Sequence, residues 1–118
     1  MTKVFSRWMC KVEITESRLL EAVREMESGL VDADLGGSVY KKRIALSGQG
    51  KRGGARTIVA VKFQERCFFL YGFAKNEREN ITPQELKAMK RIAADLLGAS
   101  DTEICKSLKD GFLKEVYQ

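Results

Sequence analysis

The sequence predicts an α+β fold in one 118-residue domain: N-terminal helices, an antiparallel sheet, then a further helix. Three observations carry this. Apolar residues recur at helical spacing up to Ser28, and three runs rich in β-branched and aromatic residues, divided by turn signals, lie between Val39 and Phe73. Thr82-Pro83-Gln84-Glu85 then starts a long amphipathic stretch.

Taken in order, Phe5, Trp8 and Val12 predict a first helix over Lys3 to Lys11. A second runs from Thr15 or Ser17 to Ser28. Leu19, Leu20, Val23 and Met26 form its apolar stripe, Glu21, Arg24 and Glu25 its wet face, and Gly29 ends it. Leu30 to Gly37 (LVDADLGG) reads as a connection, with Asp32 and Asp34 as turn and capping residues rather than metal ligands, because no third ligand is near. Val39 to Leu46 is strand-like, with Tyr40, Ile44 and Leu46 on one side and Lys41 and Arg43 on the other. Lys42 interrupts the apolar side, which points to a position near an edge.

A glycine-rich loop, Ser47 to Ala55, leads into strands Arg56 to Phe63 and Arg66 to Phe73, joined by a tight turn at Gln64-Glu65. After the polar connection Ala74 to Ile81, the capping box with proline at the first helical position starts a helix whose stripe is Leu86, Met89, Ala93, Leu96 and Leu97, up to Gly98. From Ala99 to Gln118 the pattern is weaker; its amphipathic part, Leu108 to Val116, fits a helix, an added strand or a mobile tail. The expected architecture has two layers, with helices on one sheet face and basic side chains on the other.

Composition excludes several chemistries. The longest uncharged apolar stretch, Cys67 to Ala74, is far too short to cross a bilayer, and the N-terminus lacks an apolar signal segment, so a cytoplasmic protein without a membrane partner is expected. Cys10, Cys67 and Cys105 are odd in number and lack CxxC spacing, which predicts reduced packing residues. Histidine is absent, removing the usual general base, the Ser-His-Asp and Cys-His arrangements and a Cys/His zinc site. The net charge of +5 is segregated: Lys41 to Arg78 holds ten basic residues against Glu65 and Glu77, a local +8, which leaves −3 for the rest. An anionic partner would meet the middle of the chain.

Three motifs lie in that middle. GQGKRGG does not match the nucleotide-hydrolase loop pattern; it reads either as a basic loop touching a nucleic-acid backbone through Lys51 and Arg52 or as a solvated loop. Phe68, Phe69, Tyr71 and Phe73 read as core packing, with base stacking as the alternative. Lys75-Asn76-Glu77-Arg78, directly after the last strand, is either a basic group projecting beyond the sheet or a solvated turn.

The runs LVDADLGG, YKKRIAL, GQGKRGGARTIVAV and FFLYGFAKNERENIT resemble the RelE/HigB-like toxins of type II toxin–antitoxin systems, within the RelE/ParE superfamily. The resemblance covers about Leu19 to Leu97. It implies two helices on a small curved antiparallel sheet of three or more strands with a helix after it, and metal-independent, cofactor-free cleavage of mRNA on the ribosome. The implied partners are mRNA, the ribosome, a cognate antitoxin and, through the antitoxin, operator DNA. Within the superfamily a gyrase poison and a non-catalytic antitoxin-binding member are the alternatives.

By the same resemblance the catalytic set is Arg56, Lys41, Arg43, Lys75 and Arg78, with Arg56 on the scissile phosphate and Lys42, Lys51 and Arg52 on the RNA. Many members carry a functional tyrosine after the last basic motif, where this chain has Ile81 and Thr82. Proton transfer then falls to Lys41, Lys51 or Lys75, and Tyr117 is the tyrosine able to return from the tail.

Overall fold

The computed structural model of the chain describes residues 1–46 and 54–116. Helices α1 (Lys3–Lys11) and α2 (Glu16–Glu27) are followed by strands β1 (Ala33–Gly36), β2 (Val39–Ile44), β3 (Ala55–Lys62) and β4 (Arg66–Ala74), then helices α3 (Pro83–Gly98) and α4 (Asp101–Lys109). The strands form one antiparallel sheet in the order β1-β2-β3-β4.

Each helix begins where the sequence supplies a cap. Thr2 and Thr15 accept backbone N–H bonds from Phe5 and Arg18. Thr82 with Glu85 and Ser100 with Glu103 form reciprocal capping boxes.

Two expectations are corrected. LVDADLGG is not a plain connection: Ala33–Gly36 pairs with β2 as a fourth strand, and Gly37 and Ser38, both at positive φ (61° and 64°), make the turn. The strand is short and bulged, so it leaves little alternation in the sequence. The tail forms a helix earlier than its apolar pattern suggested, over Asp101–Lys109, and then makes one strand-like bridge from Leu113 to Thr2. The Met1 ammonium donates to the Lys114 carbonyl at 2.7 Å, and the Thr2 hydroxyl donates to the Leu70 carbonyl at 3.0 Å, so this segment and the N-terminus lie together beside β4.

The sheet is covered on both faces, not on one. Phe5, Met9, Leu19 and Met26 of α1 and α2 pack on Ile44, Val59 and Phe69, while Leu86, Met89 and Ala93 of α3 pack on Val39, Ile58 and Phe73. Close approach of α1 depends on Gly72, where an added Cβ would lie 2.2 Å from the Trp8 ring. A bulge opposite Ile58 and Val59 leaves Leu70 as the extra residue of β4 and changes the phase of alternation. Phe68 before it, Leu70 within it and Tyr71 and Phe73 after it consequently belong to the same α3-side cluster.

Arg66 ties the end of α3 to the start of α4. Its guanidinium donates to the Leu96 carbonyl at 2.9 Å, the Ala99 carbonyl at 2.6 Å and the Asp101 carboxylate at 2.9 Å. Arg66→Ala should lower the free energy of unfolding by about 2 kcal/mol in urea titration, and Arg66→Lys should restore only part, because an ammonium cannot reproduce the fork. An unchanged midpoint for Arg66→Ala would show that the clamp contributes nothing.

Candidate functional site

Strand register assembles the site. On the α3 side of the sheet, Lys41, Ile58 and Tyr71 form one row across β2, β3 and β4, and Arg43, Arg56 and Phe73 form the next. The second row lies near the end of the sheet where β2 stops and β3 starts. Here Gly54 lets the chain pass close: an added Cβ would lie 2.3 Å from the Ile44 carbonyl oxygen. The Lys75 amide donates to the Gly54 carbonyl at 3.2 Å, setting the exposed Lys75 at the same end.

The cations differ in environment. Arg43 is exposed and paired with Asp32, whose carboxylate accepts from its Nε at 2.9 Å and its backbone N–H at 2.6 Å. Asp34 accepts from the Gly36 amide at 2.9 Å, so both aspartates serve the β1–β2 hairpin. Arg56 is only 9% exposed, near the start of the inner strand β3. Charge–charge attraction there is screened far less than at the surface.

Arg78 is the most elaborately held. Its guanidinium meets the Glu85 carboxylate with both terminal nitrogens, and its Nε donates to the Asn80 carbonyl at 3.0 Å. It also lies 5.6 Å from the centre of the Phe73 ring and beside the Tyr71 side chain. Glu85 accepts from the Thr82 amide as well, at 2.8 Å. The Arg78 bonds, followed by that amide bond, push its carboxyl from the ordinary 4.5 down to about 2.

A carboxylate depressed in this way stabilises the fold fully above pH 4.5 and loses that contribution as pH falls through 2. The stability difference between wild type and Glu85→Gln should therefore be constant above pH 5 or so, shrink below it, and be nearly gone at about pH 2. Chemical denaturation across this range checks it; a difference independent of pH would contradict the assignment.

Lys42 departs from expectation. It lies on the face toward α2, is 5% exposed, and its ammonium is 2.9 Å from Glu25. Strand alternation turns it away from Lys41 and Arg43, and β2 is an inner strand, so neither an edge position nor a place on the RNA fits it. Its interruption of the apolar side marks a buried ion pair. Lys51, Arg52 and Tyr117 lie outside the described residues.

Phe68, Phe69 and Phe73 are buried, and Phe69 stacks on Phe5 with centroids 5.2 Å apart, which resolves these aromatics as core. Tyr71 is half-buried beside Arg78 and was missed as a site residue, as was Glu85 beyond its capping role. The available signal was a tyrosine two residues from Phe73 on a strand leading into basic residues; the bulge obscured which face it takes.

Among the described residues no group of three or more His, Cys, Asp or Glu side chains is placed to hold a metal, and no helix is long and apolar enough to cross a membrane. No curated protein and no solved structure matches the chain. A family model described as the RelE toxin of the RelE/RelB toxin–antitoxin system matches residues 1–116. With that match spanning helices and sheet alike, the chain belongs to the RelE toxin family.

Proposed function

We propose that the chain is one toxin domain over residues 1–118 that stops translation in the cytoplasm by cutting mRNA on the ribosome, and that a cognate antitoxin neutralises it. The carrying observation is the largely buried Arg56 paired across the strands with Arg43, with Lys41 in the neighbouring row of the same face and the exposed Lys75 at the same end of the sheet. Such a face suits a phosphodiester. The RNA supplies its own nucleophile, the 2′-hydroxyl, so the protein needs only to hold the phosphate, stabilise the charge that develops on it and move protons.

Arg56 stabilises that charge. Arg43, Lys75, Lys51 and Arg52 hold the backbone, and Lys41 takes the 2′-hydroxyl proton in its unprotonated form. Arg78 acts from behind, because Glu85 already engages its terminal nitrogens. An acidic antitoxin segment that orders on this face would block it and, through the rest of the antitoxin, reach operator DNA.

Induction without antitoxin tests the reading. Growth and protein synthesis should stop with cut mRNA accumulating, while DNA supercoiling by purified gyrase is unaffected. Growth arrest with inhibited gyrase and intact mRNA would overturn it.

A further inference from the structure

We infer that Glu85 is a positioning residue for the cleavage: it holds Arg78 over Phe73, the cross-strand neighbour of Arg56, and so sets where the Arg56 side chain lies. The inference rests on the RNA-cleavage reading above. Arg56 on β3 stands directly opposite Phe73 on β4. Opposed residues on one face of an antiparallel pair have Cβ atoms about 5 Å apart, so the Phe73 side chain borders Arg56 on the β4 side. Phe73 is 2% exposed and belongs to the cluster on which α3 packs. Any change in the seating of its ring is felt by Arg56, because close-packed neighbours leave no slack between them.

Arg78 covers that ring, with its guanidinium carbon 5.6 Å from the ring centre. Each of its three nitrogens has an acceptor. Nε donates to the Asn80 carbonyl at 3.0 Å, one terminal nitrogen to a Glu85 oxygen at 3.1 Å, and the other to the second Glu85 oxygen. A planar fork held at three nitrogens is fixed in rotation as well as in place.

Glu85 is anchored in turn. Its carboxylate accepts from the Thr82 amide at 2.8 Å, and its own amide donates to the Thr82 hydroxyl at 3.1 Å, within the first turn of α3. One line of contacts therefore runs from the cap of α3 through Glu85, Arg78 and Phe73 to Arg56. Glu85 touches no RNA in this arrangement; it acts through the residues between.

The cap and the fork can be separated by substitution. Glutamine serves a capping box as glutamate does, so Glu85→Gln keeps the start of α3. It loses the fork, because its side-chain nitrogen is a donor that faces the donors of Arg78.

The experiment measures single-turnover cleavage of a short mRNA on programmed ribosomes, over a range of ribosome concentration, for wild type, Glu85→Gln, Arg56→Ala and the double variant. Arg66→Ala, which weakens the fold at the other end of α3, is the control for stability alone and should cut at the wild-type rate. Glu85→Gln should lower the saturating rate roughly 10-fold with an unchanged half-saturating concentration. In the Arg56→Ala background it should have no further effect, since residues acting through one another are not additive.

A Glu85→Gln loss that persists in full without Arg56, or an equal loss in Arg66→Ala, would overturn the positioning role while leaving RNA cleavage standing. A lower half-saturating concentration with an undiminished rate would also overturn it, by showing that Glu85 merely competes with RNA for Arg78. Failure of the folded wild type to cut would overturn the cleavage reading, and this role with it.

Discussion

Arg56→Ala should reduce mRNA cleavage on translating ribosomes by roughly 100-fold or more, with the fold retained. Removing one well-placed donor from a developing oxyanion typically costs a factor of that size. The burial of Arg56 makes its charge act through a poorly screened path, and Arg43, directly opposite in the register, is committed to Asp32. Arg56→Lys should recover little, because an ammonium cannot offer two parallel N–H bonds to a phosphate. Cleavage is measured as loss of full-length mRNA over time. A variant that cuts within a few-fold of wild type would remove Arg56 from the chemistry.

The second large effect concerns stability. Glu25→Ala should lower the free energy of unfolding by about 3 kcal/mol, because it leaves the Lys42 ammonium, 5% exposed, without the carboxylate 2.9 Å away. Replacing both ends of the pair, as in Glu25→Leu with Lys42→Met, should recover most of the loss, since apolar groups of similar length need no charge partner. Urea denaturation of the two variants decides between an ion pair that the fold requires and one that solvent replaces. A Glu25→Ala midpoint equal to wild type would establish the latter.

The sequence displayed most of the helices because their ends are written in short-range chemistry. Thr15 and the Thr82-Pro83-Gln84-Glu85 box mark helix starts through bonds to N–H groups three residues on, so α2 and α3 begin where these residues stand. Strands β2, β3 and β4 were legible from their β-branched and aromatic runs, and the tight turn expected at Gln64-Glu65 is present, with Gln64 at a φ of 66°. Features set by pairing between distant segments were not legible. β1 is a strand because β2 offers it hydrogen bonds, and Leu113 bridges Thr2 because Met1 and Lys114 exchange backbone bonds.

The same distinction holds at the site. Lys41 and Arg43 were placed on one face by simple alternation, which register upholds. Lys42 was misplaced because a lysine inside a strand looks solvent-seeking until the carboxylate facing it, Glu25 on α2, is known. Glu25 had been assigned to a wet face for the corresponding reason. Tyr71 was hidden by the bulge at Leu70, since one extra residue exchanges the two faces of everything after it.

In the function proposed above, this basic face cuts mRNA held by the ribosome. Primer-extension mapping of a defined mRNA in translating extract, beside the same RNA without ribosomes and beside Arg56→Ala, tests it most directly. Cuts in register with the reading frame that require both ribosomes and Arg56 are expected. Intact mRNA with folded wild-type protein, or cuts that persist unchanged in Arg56→Ala, would contradict it.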